Sequence, residues 1–178
     1  MFINRLIPLL IVIIIPAMPV TGEAQFLHLT IEIDSDLSAE ELSPLQFDQA
    51  VPDAGVIRIA LGDPNMGTYT ISGPQNLMVN LSVDMPDYLE MGGAQWHRIP
   101  MDLEVAYANR NQNNINHATP VSGRTARFAL REDAPQQRAP DAPVPRATAY
   151  LYVYGLIEVG NVPPGVYVAE VNLLIEYE

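Results

Sequence analysis

The 178-residue chain contains no cysteine and no lysine. Without cysteine there is no disulfide, no thiolate metal ligand and no cysteine nucleophile. Without lysine there is no Schiff-base amine, no phosphate-loop lysine and no lysine–asparagine crosslink. Basic charge is scarce as well. All nine basic residues are arginine, against 21 acids, and the net charge is −12. That balance argues against binding nucleic acid or an anionic membrane. His28, His97 and His117 lie far apart, with no partner at metal-ligand spacing. Gly-x-Ser-x-Gly, His-Glu-x-x-His and a glycine-rich phosphate loop are all missing. Asp34-Ser35-Asp36 opens like a calcium loop, but Ala39 stands where the sixth-position glycine belongs. No catalytic residue, cofactor or metal ligand is therefore expected.

What is present is apolar and alternating. With 48% hydrophobic residues the chain is not intrinsically disordered. Residues 1–24 have the layout of a secretory signal: Arg5, a charge-free apolar stretch over 6–20, then Gly22-Glu23-Ala24 at a cleavage site. The stretch is short for a membrane span, and Pro8, Pro16 and Pro19 interrupt it. Gln25, not cysteine, follows the cleavage site, so no lipid anchor is expected there. The expectation is an exported protein of the periplasm, cell surface or medium, with 25–178 as a single domain and no membrane insertion after cleavage.

Period-2 rows run through that domain. They are Leu27, Leu29, Ile31, Ile33; Leu77, Val79, Leu81, Val83; Met101, Leu103, Val105, Tyr107; and, longest, Tyr167 through Ala169, Val171, Leu173 and Ile175 to Tyr177. Each is the pattern of a half-buried strand. Shorter candidates fall at 45–47, 56–61, 68–72, 125–130 and 149–159. Turns punctuate them at Pro52-Asp53-Ala54-Gly55, Gly62-Asp63-Pro64-Asn65, Gly73-Pro74, Gly92-Gly93 and Pro163-Pro164-Gly165. Many short strands with Gly/Pro turns predict an all-β sandwich or barrel. One helical signal competes: Ser38-Ala39-Glu40-Glu41 fits a capping box, stopped by Pro44. Residues 109–117 (NRNQNNINH) and the proline-rich 131–146 read as polar loops. Trp96, read as a loop residue beside Gly92-Gly93, joins Asp87 and Glu90 as candidates for a site that binds carbohydrate or a cation.

The C-terminal quarter, LYVYGLIEVGNVPPGVYVAEVNLLIEYE, resembles the closing signature of an exported bacterial family, domain of unknown function 4402. The matching positions are Gly155, Val159, Gly160, Pro163, Gly165, Tyr167, Val171, Leu173, Ile175 and Tyr177. A weaker match lies at Leu45-Gln46-Phe47 and Gly55. The chain departs from the pattern at Asp48 and Tyr154, where glycine is usual. That family is similar to the spore-coat-U and pilin group, and the resemblance implies an immunoglobulin-like antiparallel β-sandwich without catalytic residues. It also implies a pilin-like or surface subunit, with identical subunits or an envelope chaperone and usher as partners. Chaperone–usher subunits commonly end in an alternating strand with a penultimate tyrosine, as Tyr177 stands here, and donate an N-terminal strand to a neighbour.

In that arrangement Leu27, Leu29, Ile31 and Ile33 insert beside a neighbour's Val171, Leu173, Ile175 and Tyr177, and the acidic 34–41 segment serves as spacer. A donated strand gains main-chain hydrogen bonds along a sheet edge and buries alternate side chains. The same alternation equally describes a self-contained sandwich whose first and last strands close its own sheet. A periplasmic or secreted module binding carbohydrate or a cation is the alternative from a different class.

Overall fold

The computed structural model describes residues 25–33, 36–47, 49–91, 94–131 and 144–177. Residues 1–24, read above as an export signal, lie outside the described residues, as do Asp34-Ser35, Asp48, Gly92-Gly93, most of the proline-rich stretch and Glu178. The chain forms strands β1 (Gln25–Ile33), β2 (Ser38–Ser43), β3 (Gln46–Phe47), β4 (Gly55–Ile59), β5 (Gly67–Pro74) and β6 (Met78–Asp84). These are followed by β7 (Tyr88–Met91), β8 (Ala94–Ala108), β9 (Thr119–Pro120), β10 (Thr125–Ala129), β11 (Arg146–Val159) and β12 (Tyr167–Tyr177). A 3₁₀ turn at Ile115–His117 precedes β9.

The architecture is an immunoglobulin-like antiparallel β-sandwich with one parallel pair. In the first sheet β12 is central: β6 and β7 lie along one side, β1 along the other, and β10 extends the sheet from β6. In the second sheet β11 is central, with β5 and β4 on one side, β8 on the other, and β2 beyond β5. The two sheets share β8. Its first half pairs with β7 and its second half, from Met101 to Ala108, pairs with β11. Alternation explains the core directly. Val79, Leu81 and Val83 of β6 and Val171, Leu173 and Ile175 of β12 share one buried cluster with Leu103, Val105, Leu151 and Val153 of the second sheet. Each such side chain contributes on the order of 1.5–3 kcal/mol through burial. Tyr107 and Phe128 stack at 4.2 Å, tying β8 to β10 across the sandwich.

Two local readings change and a third gains detail. The expected helical turn at 38–41 is strand β2, whose Ser38 to Glu41 pair in register with Ser72 to Tyr69. One turn of helix fixes several residues for a single hydrogen bond, whereas a ladder to β5 satisfies the whole segment. Position 96 lies within β8 rather than in a loop. The asparagine-rich segment is a loop with specific work to do. Asn111, at φ +57, bonds Thr148 twice: its N–H donates to the Thr148 carbonyl, and its Oδ1 accepts from the Thr148 N–H, each at 3.0 Å. Asn109 Nδ2 donates to the Ala129 carbonyl, and Asn113 Oδ1 accepts from the Tyr152 hydroxyl at 2.9 Å. Tyr152, on the outward face of β11, is consequently fully buried.

Other matched positions of the C-terminal signature acquire physical roles. The Tyr167 hydroxyl donates to the Pro163 carbonyl at 2.9 Å, closing the turn into β12. Gly155, at φ +151, lies where β11 and β8 come so close that a Cβ would meet the Asp102 carbonyl oxygen and, at 2.8 Å, Leu103 Cα.

Buried phenols make the fold sensitive to alkali. Burial, with the Glu41 charge, pushes Tyr69 from 10.0 up to about 12, opposed by a hydrogen bond with the Leu45 backbone. Burial foremost also raises Tyr152, Tyr154 and Tyr167. The folded state thus holds these protons more tightly than the unfolded chain. Their stabilisation is complete below pH 10 and is lost as pH rises above it, for Tyr69 over the range up to about 12. Tyr69 alone then removes about 3 kcal/mol. Urea midpoints between pH 8 and 12 should fall across that window, with tyrosinate absorbance rising alongside unfolding.

Candidate functional site

The sequence-predicted assembly residues converge on one seam. β1 runs parallel to β12 in the same chain, with Leu27 beside Ala169, Leu29 beside Val171, Ile31 beside Leu173 and Ile33 beside Ile175. The register is continuous over eight residue pairs, Phe26–Val168 to Ile33–Ile175. Both rows therefore point into the same layer, as the pleat requires. Thr30 Oγ1 donates to Glu170 Oε1 at 2.7 Å on the outward face.

The two strands are not equally embedded. Val171, Leu173 and Ile175 are buried completely or nearly so, between β1 on one side and β6 on the other. Along β1 the exposure rises from 9% at Leu27, through half-buried Leu29 and Ile31, to 36% at Ile33. Tyr177, near the end of β12, is half-buried and packs against the core. On its other side, among the described residues, β1 pairs with β3 alone, through Gln25 and Phe26. The arrangement is chemically simple: a peripheral strand laid in a slot, held by one parallel ladder and an apolar row.

Of the residues considered for ligand binding, Asp87 and Glu90 each face an arginine. Glu90 is ion-paired with Arg98 at 2.9 Å, and Arg98 lies over the Tyr88 ring at 5.4 Å. Asp87 faces Arg124 at 3.7 Å, and Arg124 also approaches Asp84 at 3.9 Å. These last pairs are exposed and long, so they contribute little to stability. Position 96 lies on β8, two residues before Arg98, which pairs with Glu90 of β7; the Trp96 side chain lies outside the described residues. Among the described residues no group of three acidic or histidine side chains is placed to hold a metal ion.

Sequence reasoning missed one feature, Arg124. With Gly123 it forms a two-residue turn between Ser122 and Thr125, both central residues at positive φ. Such a φ is uncommon for arginine. Its carbonyl accepts from the Val83 N–H, which holds the turn against β6. Beside it lies a cavity of about 260 Å³, lined by Val83, Leu103, Val105 and Pro120 with Asp102 and Glu104. The cavity marks a break in the edge of β8. The Met101 N–H donates to the Asp87 carbonyl and the Val105 carbonyl accepts from the Val121 N–H, while Leu103 lies between them. No residue-type pattern announces that break, because it arises where β8 leaves β7 and meets β9.

No family profile matches the chain, and no curated protein matches it. Its geometry therefore carries the functional reading.

Proposed function

We propose that the protein is an exported, non-enzymatic structural subunit that assembles by exchanging β1 between neighbouring copies. The supporting observation is the asymmetry of the β1–β12 seam. β12 belongs to the core, whereas β1 is attached to the rest through one parallel ladder and a two-residue contact with β3. A strand attached in that way can leave its own slot and enter an identical slot elsewhere while keeping every ladder partner, because the exchanged contacts are the same contacts. The short connection through residues 34–37 joins β1 to β2 on the other sheet. The resemblance of the C-terminal quarter to the closing signature of domain of unknown function 4402, a family similar to the pilin group, supports the same reading.

The test compares purified residues 25–178 with a version lacking 25–34. The truncated protein is expected to stay folded and monomeric and to accept a synthetic peptide of residues 25–34. Peptide at a hundredfold excess over its dissociation constant should raise the melting temperature by about 5–10 °C. The opposite outcome is unfolding on truncation, together with an intact chain that stays monomeric at every concentration. β1 would then be a fixed part of its own sandwich, and exchange would be ruled out.

A further inference from the structure

The first sheet ends at β1 with an open edge. Among the described residues only Gln25 and Phe26 pair outward, and from Leu27 to Ile33 the edge has no ladder partner. The common protections of an edge are missing: the segment holds no proline and no lysine, and its register with β12 has no bulge. Its inward row is also under-covered, increasingly so towards Ile33. An edge in this condition accepts another strand.

We propose that the occupant is β1 of a second copy, paired antiparallel about a two-fold axis at Thr30. The segment Leu27-His28-Leu29-Thr30-Ile31-Glu32-Ile33 is self-complementary about that residue. In such a pairing Leu27 of one copy stands opposite Ile33 of the other, and Leu29 opposite Ile31. The inward rows therefore join into one apolar strip covering the side chains that a single copy leaves half-exposed. On the outward row Thr30 meets its own counterpart, and position 28 meets position 32, a base against an acid, twice by symmetry. Moving the axis to Leu29 places Glu32 opposite Phe26, and moving it to Ile31 places Glu32 opposite Thr30. The first shift loses the acid–base match altogether; the second moves it to positions 28 and 34, beyond the end of β1, and leaves Leu27 of the inward row without a partner in β1. Two copies of a chain carrying −12 repel one another at long range, so a local match of opposite charge selects this register. The edge has the same composition whether β1 lies in its own sheet or in a neighbour's, so the proposal does not depend on strand exchange.

Sedimentation equilibrium of residues 25–178 at about pH 6, where imidazole is largely protonated, tests it. The unaltered protein should show a monomer–dimer equilibrium. His28→Glu and Glu32→Lys should each weaken dimerisation about tenfold or more, because each turns two attractive pairs into repulsive ones. An equimolar mixture of those two variants should form heterodimers, since acid then faces base at both outward pairs. The double variant H28E/E32K should dimerise like the original chain, and circular dichroism and melting curves check that every variant is folded. A protein that stays monomeric to about 1 mM overturns the proposal. So does a dimer indifferent to both single variants, which would place the interface elsewhere.

Discussion

Replacing Gly155 by alanine is expected to destabilise the fold by on the order of 4 kcal/mol, enough to lower the melting temperature by about 10 °C. Two costs add at this position. The backbone sits at φ +151, which L side chains rarely adopt, and the new methyl group would be driven into the Asp102 carbonyl and the Leu103 Cα of β8. Neither obstacle is the flexible end of a side chain, so relief requires β8 and β11 to move apart. That breaks the ladder on which the second sheet is built. Two other glycines separate the contributions. Gly55 has φ +76 but open space around it, so Gly55→Ala should cost about 1–2 kcal/mol from backbone conformation alone. Gly160 has neither a positive φ nor a neighbour within 4 Å, so Gly160→Ala should lie within about 0.5 kcal/mol of the original. Urea denaturation of the three variants should rank them in that order. A Gly155→Ala protein as stable as Gly160→Ala would mean the β8–β11 approach is looser than described.

Leu173→Ala should cost about 2–5 kcal/mol and Leu174→Ala about 0.5 kcal/mol or less, although the two are adjacent and chemically identical. Leu173 is 1% exposed, with β1 on one side and β6 on the other; Leu174 is 41% exposed on the outer face. The same measurement along β1 should give a slope rather than a step. Leu27→Ala should cost about 2 kcal/mol, and the loss should decline towards Ile33, where truncation removes little buried surface. In an exchanged assembly that slope becomes the profile of the donated strand, and Val171, Leu173 and Ile175 become the slot. Equal losses along all of β1 would contradict the graded burial.

Much of this architecture was legible because alternation is a strong signal. The row from Tyr167 to Tyr177 coincides with β12, the row around Leu103 falls within β8, and the row around Leu81 lies in β6 except for Leu77, one residue before it. Alternation does not name a partner, so nothing in Leu27 to Ile33 reveals that β1 runs parallel to β12. A period of two is the same for parallel and antiparallel neighbours. The capping-box pattern at Ser38 misled for a related reason: local preference was outweighed by a distant strand, β5, that sequence proximity does not show. The asparagine segment could not be resolved because the value of each asparagine lies in a particular acceptor or donor brought near by folding, at Thr148, Ala129 and Tyr152. Gly155 stood out through resemblance, and only the approach of β8 gives the physical reason.

The parallel pairing of β1 with β12 also sets an order of events. Phe26 and Val168 are among the first and last described residues, so the ladder between them closes a loop that contains nearly the whole domain. Loop closure of that length is slow compared with forming the hairpins inside it. During folding the N-terminal strand is complete early and has nowhere to go until the chain's other end arrives. On the proposed exchange, its own last strand would compete in that interval with any finished copy whose slot is empty. The outcome is decided by local protein concentration rather than by a difference in contacts. On the proposed exchange, dilute chains would close on themselves and crowded chains would join.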